Sequence, residues 1–234
     1  PTWVSEPFQR VFDKYLPGWR SDPYTLRAAF GIDKADIWAA HMETKKKLID
    51  FVNNRYNVGM NYDHFTIGFA RRQTAYKRPE LLISDAQRLM NIAEKAGPIQ
   101  IIYAGKAHPK DGSGKDTIKM IFSAMKNIRG KVKMAYIHNY DIAIGKLMTA
   151  GVDVWLNTPR RPQEASGTSG MKAAHNGVPQ LSTLDGWWIE GRVENITGWA
   201  IGTRKSNERE SDDDNDRDDL YNKLGTWIIP KFYK

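Results

Sequence analysis

The feature that most constrains this chain's fold is a regular alternation of short apolar runs with helix-length segments. Residues 65–69, 99–104, 131–137, 152–156 and 180–183 read as strands, most of them apolar along nearly their whole length. Between them the spacing changes to that of helices. Over 33–57, Ile37, Ala40, Leu48, Phe51 and Val52 fall on one stripe. Over 79–96, Pro79 opens a helix, Leu82, Ala86, Leu89 and Ala93 follow at helical spacing, and Gly97-Pro98 ends it. Shorter helices are predicted over 116–128, 141–150 and 168–176. Continuous apolar strands with helices between them predict an α/β protein whose parallel sheet is covered on both faces. Ligands of such sheets sit beyond the carboxyl ends of the strands.

Three polar blocks fall at those ends. The first, Ala70-Arg71-Arg72-Gln73-Thr74-Ala75-Tyr76-Lys77-Arg78-Pro79, concentrates cations after strand 65–69. The second, Ala104-Gly105-Lys106-Ala107-His108-Pro109, follows strand 99–104. The third runs from Glu164 through Ala165, Ser166, Gly167, Thr168, Ser169, Gly170 and Met171 to Lys172, and on through Ala173-Ala174-His175-Asn176-Gly177. Its glycines and hydroxyls can turn several backbone N–H groups toward one point at a helix start, which suits a phosphate. Lys172 then sits one turn inside that helix. An amine beside a phosphate site suits covalent attachment of pyridoxal 5′-phosphate, whose aldehyde and phosphate must be gripped together. A lone lysine is ordinarily a solvated surface charge, so the surrounding string carries the argument.

That string, with Asn176-Gly177 and Leu184-Asp185-Gly186 after it, resembles the cofactor segment of the α-glucan phosphorylases. The first block resembles the same family's basic phosphate-binding loop, and the second also matches the family, in the same order. Trp187-Trp188, with Ser169-Gly170 and Thr74-Ala75 in place of the Gly-Asn and His-Glu of longer members, resembles the short prokaryotic branch. Family members are longer and two-lobed. The resemblance therefore implies that residues 1–234 form the C-terminal cofactor- and phosphate-binding lobe. This is a Rossmann-like doubly wound sheet of a GT-B-type glycosyltransferase, with the N-terminal lobe absent.

The implied activity is phosphorolysis of an α-1,4-glucan or maltodextrin by inorganic phosphate, giving α-glucose 1-phosphate with anomeric retention. Its transition state is oxocarbenium-like, so a dianionic phosphate held by cations must lie beside the sugar. The resemblance assigns Arg72 and Lys77 to the substrate phosphate and Arg71 to the cofactor phosphate. It assigns Lys172 as cofactor anchor, with Thr168, Ser169 and Gly170 donating to the cofactor phosphate and Tyr140 packing near the cofactor. Glu164, Ala165, Ser166, Gly167 and Tyr76 are its glucosyl contacts. An open half-cleft leaves reactants solvated, so the chain alone is expected to be inactive. Self-association into a homo-oligomer is left open.

Composition bounds the alternatives. The net charge of +8 fits attraction of phosphate and cofactor, or solvated lysines such as Lys45-Lys46-Lys47. No nucleic-acid motif is present. No apolar run is long enough for a membrane span, no secretory signal opens the chain, and cysteine is absent, in keeping with a cytoplasmic protein. No metal site is expected; the aspartates at 212–214 belong to a polar loop over 206–219, before a terminal helix at 220–234. His108 and His175 read as structural, and Trp187, Trp188 and Trp199 as core. A non-catalytic cofactor- or sugar-binding half is one alternative. A nucleotide-sugar-dependent glucan synthase is another, but it has no use for Lys172 as a covalent anchor.

Overall fold

The structure, a computed structural model, describes residues 1–128, 130–202 and 212–234. Six parallel strands form one sheet: β1 (Phe65–Ala70), β2 (Ile99–Ala104), β3 (Lys133–Ile137), β4 (Val154–Asn157), β5 (Gln180–Thr183) and β6 (Gly198–Ile201). Their spatial order is β3-β2-β1-β4-β5-β6. Pairing runs outward in both directions from β1 and β4, where Ile67 faces Val154. The strand order reverses there, and such a reversal opens a crevice at the carboxyl ends.

The strands are buried on both faces because their side chains alternate between two cores. Phe65, Ile67, Phe69, Ile99, Ile101, Tyr103, Val154 and Leu156 point into one. Ala70, Ile102, Ala104, Ala135, Ile137 and Trp155 point into the other. The first core is covered by α3 (Ala86–Ala96), α4 (Gly112–Asn127), α8 (Asp213–Lys223) and α9 (Ile229–Tyr233). The second is covered by α2 (Lys34–Tyr56), α5 (Ile142–Gly151) and the short α6 (Thr168–Ala174). A satellite core joins α1 (Glu6–Tyr15) to α2 through Phe8, Val11, Phe12 and Ala40. Among the described residues the remaining α-helix is the single turn α7 (Trp188–Gly191), and a 3₁₀ helix at Pro23–Gly31 links α1 to α2.

Several boundaries differ from the sequence expectation. The segment 79–96 is two helices: a 3₁₀ turn at Pro79–Ile83, then α3 capped by the Asp85 carboxylate, which accepts from the Arg88 amide at 2.9 Å. The expected loop at 206–219 lies partly outside the described residues. Its 213–219 portion is helical. Asp212 accepts from the Asp214 and Asn215 amides, and the acidic first turn suits the positive end of a helix. The expected terminal helix continues from it through a π-turn at Leu224–Ile228. Lys45 is not the solvated charge expected of a lysine run: it is fully buried against Asp153. Among the described residues no helix is long and apolar enough to cross a membrane.

Candidate functional site

All three polar blocks lie beyond the carboxyl ends of β1, β2 and β4, and the backbone ties them to one another. The Arg71 amide donates to Ala104 O and the Gln73 amide to Lys106 O, so the β1 and β2 loops run side by side. Gly105 permits this, because its φ is +149° and a Cβ there would lie 2.0 Å from the Arg71 carbonyl oxygen. The loop after β4 is fastened to the first block in turn. Thr158 Oγ1 donates to the carbonyls of Lys77 and Arg78 at 2.8 and 2.9 Å. The Arg160 amide donates to Tyr76 O at 2.6 Å.

Arg78 completes the strap. It is buried and left-handed at φ 45°, a costly conformation for a residue with a Cβ. Its guanidinium donates to Thr158 O and Pro159 O and pairs with Asp213 at 2.8 Å and Asp216 at 2.7 Å. Arg78 therefore holds the β1 loop, the β4 loop and α8 together, and sequence reasoning had given it no role beyond a basic turn.

At the crevice, Arg71 and Lys77 converge on Glu164. Arg71 Nη2 lies 2.7 Å from Glu164 Oε2, and Lys77 Nζ contacts the same oxygen. All three side chains are nearly buried, at 7%, 7% and 12% exposure. Burial holds the Arg71 guanidinium below its ordinary pKa, with the Glu164 carboxylate opposing. Glu164 is fixed from behind by its own amide, which donates to Asp185 Oδ2 at 2.8 Å. Lys77 Nζ also lies 4.4 Å from the Tyr76 ring centre. Arg72 is exposed and has no partner among the described residues.

Ala165 and Ser166 are exposed beside this cluster, and Gly167 takes the left-handed conformation at φ 82° that turns the chain into α6. Thr168 and Ser169 are the first residues of that helix, where amides lack intrahelical partners. Ser169 Oγ accepts from Trp155 Nε1 at 3.3 Å. Gly170 sits against Gln180, with no room for a side chain. Lys172 is half-buried and without an ion pair among the described residues; its Nζ lies 4.0 Å over the Trp3 ring. Asn176 holds Trp3 there, donating to Trp3 O at 2.8 Å and accepting from the Ser5 amide at 2.7 Å. Tyr140 is partly buried near Trp3, both lying against Gly145, and burial pushes its pKa up.

Four buried polar atoms around the crevice have no partner within the protein: Arg71 Nη1, Asn157 Oδ1, Gln180 Oε1 and Trp187 Nε1. Residues bearing them line one small depression with Glu164, Gly167 and Asp185. Buried polar atoms are nearly always paired, so such a cluster marks where a polar ligand fits. An unpaired amine at Lys172, a flat indole above it and free donors at the start of α6 likewise fit a phosphorylated aromatic aldehyde. Sequence reasoning missed Trp3, Asn157 and Gln180. None lies in a motif, and each is brought in by tertiary packing. Trp188 and Trp199 are buried as expected, and Trp187 is half-buried at the crevice.

A sequence profile of the carbohydrate phosphorylases matches residues 28–219. The chain belongs to the carbohydrate phosphorylase family. It is 38% identical to the maltodextrin phosphorylase of Thermococcus litoralis and 37% identical to the glycogen phosphorylase of Aquifex aeolicus. A glycogen phosphorylase of Mycobacterium tuberculosis is 34% identical. In each case all of this chain is matched, but only 30%, 37% and 29% of the relative. The chain thus spans roughly a third of the length of these phosphorylase relatives. The sheet order, reversed at β1 and β4, agrees with the α/β fold class expected from the strand pattern.

Proposed function

We propose that this chain is the cofactor- and phosphate-holding lobe of an α-glucan phosphorylase, which cleaves an α-1,4-glucan with inorganic phosphate to release α-glucose 1-phosphate with retention. The observation that carries this reading is the convergence of Arg71 and Lys77 at the β1–β4 crevice. It lies beside a glycine-turned helix start leading to an unpaired Lys172.

Each residue has a task in this reading. Lys77 and Arg72 hold the substrate phosphate, with arginine able to grip two oxygens and lysine adding a point charge. Arg71 leans toward the cofactor phosphate, to which Thr168, Ser169 and Gly170 turn their donors. Lys172 anchors the pyridoxal 5′-phosphate, and Tyr140 packs near it. Glu164, Ala165, Ser166, Gly167 and Tyr76 face the glucosyl hydroxyls. The cofactor's phosphate, with a second pKa near ~6, supplies a group able to donate and accept a proton at neutral pH. The remaining lobe supplies the opposite wall of the cleft and excludes water. Residues 1–234 alone therefore give no useful turnover, because misplacement of reactants by about 1 Å costs ~100-fold.

The test is phosphorolysis by the full-length enzyme carrying Arg72→Ala or Lys77→Ala. Each change removes charge-assisted contacts worth about 1.5–3 kcal/mol. The KM for phosphate is expected to rise at least tenfold while glucan binding without phosphate is unchanged. Weakened glucan binding with normal phosphate dependence would overturn the assignment.

A further inference from the structure

Arg71 and Lys77 compete for a single carboxylate oxygen. Both reach Glu164 Oε2, and it is the only carboxylate in contact with either cation among the described residues. The two cations therefore share one anionic acceptor, and the unpaired oxygens nearby, Asn157 Oδ1 and Gln180 Oε1, are neutral amide acceptors. Arg71 carries a second nitrogen, Nη1, that is buried with no acceptor at all. The neighbouring carboxylate of Asp185 does not relieve this. It is spent on the main-chain amides of Glu164 and Gly186, at 2.8 and 3.1 Å.

A tetrahedral oxyanion presents several oxygens and matches this donor set better than one shared carboxylate oxygen. Yet the cations cannot hold such an anion and Glu164 at once in so closed a space. The depression that Arg71, Glu164 and Asp185 line has a volume of only about 10 Å³.

We propose that Glu164 is an internal placeholder for phosphate: it occupies Lys77, which takes the inorganic phosphate, together with Arg71, which leans toward the cofactor phosphate, and it must be drawn off Lys77 before inorganic phosphate can bind. This rests on the phosphate and sugar assignments above and adds an order to them. The apparent affinity for phosphate is the intrinsic affinity reduced by the fraction of molecules in which Glu164 has swung away. A sugar whose hydroxyls take the Glu164 carboxylate raises that fraction. By linkage, phosphate raises the affinity for sugar by the same factor. The binding of the two reactants is coupled through one side chain, and phosphate without sugar is held weakly.

Inorganic phosphate is titrated into residues 1–234 by calorimetry, for the wild type, Glu164→Gln, Glu164→Ala and Lys77→Met, with thermal midpoints confirming that each is folded. Both Glu164 variants are expected to bind phosphate about tenfold more tightly than the wild type. Added glucose is expected to tighten phosphate binding by the wild type but not by Glu164→Gln. Equal or weaker phosphate binding by the folded Glu164 variants overturns the placeholder. If Lys77→Met still weakens binding in that case, the phosphate site itself stands. If no form of the chain binds phosphate, the placeholder and the phosphate site both fall.

Discussion

Two buried lysines occupy opposite ends of the sheet, and their surroundings differ in one respect. At the amino end, Lys45 Nζ donates to Asp153 Oδ2 at 2.6 Å and to His64 O at 2.8 Å. The other acceptor positions of Asp153 are filled by the Thr66 amide at 2.7 Å and His41 Nε2 at 2.7 Å. Burial draws the Lys45 pKa down while Asp153 opposes it. At the carboxyl end, Lys77 shares one oxygen of Glu164 with Arg71, and an arginine nitrogen is left unpaired. Both lysines are hidden from water and both contact a carboxylate. The first cluster is closed on itself, as a structural pin must be. The second has donors left over, as a site that receives an anion must have.

If that contrast is right, removing the carboxylate has opposite consequences at the two ends. Asp153→Ala leaves Lys45 buried without a counter-ion and is expected to cost about 3–5 kcal/mol of stability. Glu164→Gln keeps the shape and leaves two cations that an anion from solution can neutralise, so in phosphate buffer its unfolding free energy is expected to stay within about 1 kcal/mol of wild type. Urea unfolding of the two variants checks this, and equal losses would erase the distinction.

An alkaline titration sharpens the comparison. Tyr136, which donates to Gly105 O in the β2 loop, and Tyr221, which donates to Leu82 O, have pKa values pushed by burial to about 12. The folded values exceed the unfolded value of 10.0, so the unfolded chain ionises first. Their contribution is intact below pH 10 and is lost as the pH rises through about 12. It amounts to roughly 3 kcal/mol per tyrosine. Lys45 has the opposite sign. Its folded pKa is lowered, so stability from that group rises with pH below its unfolded value of 10.5. Urea midpoints for the wild type and Tyr136→Phe from pH 8 to 12 separate these; a smaller alkaline loss is expected in the variant.

The sheet was legible because its strands are apolar on both faces, so runs such as Ile99–Ala104 stand out without any partner in view. β6 was not. Gly198-Trp199-Ala200-Ile201 is a strand only because it pairs with β5, Gly198 lying opposite Gln180. α1 escaped for a related reason: Phe8, Val11 and Phe12 are apolar at helical spacing but bury only against α2 and its surroundings. Lys45 was misread because a run of three lysines looks solvated until a carboxylate 108 residues away is brought to it.

The candidate site divides along the same line. Glycine turns and basic blocks are local, so Lys77, Gly167 and Lys172 could be picked out along the chain. The meeting of Lys77 with Glu164 spans 87 residues, and the placing of Trp3 over Lys172 depends on the Asn176 side chain, so neither could be read from spacing. Arg78 shows the limit most clearly. It adjoins Lys77 in sequence, yet its guanidinium turns inward to bind two loops and a helix.

The claim on which the functional account depends is that the carboxyl end of the sheet, and Lys172 within it, receives the cofactor. The direct measurement is incubation of the chain with pyridoxal 5′-phosphate, reduction with borohydride and mapping of the labelled peptide by mass spectrometry. The account predicts one reduced adduct, on Lys172, and none on the closed pair at Lys45. A label on Lys77 or Lys106 instead, or none on Lys172, would contradict it.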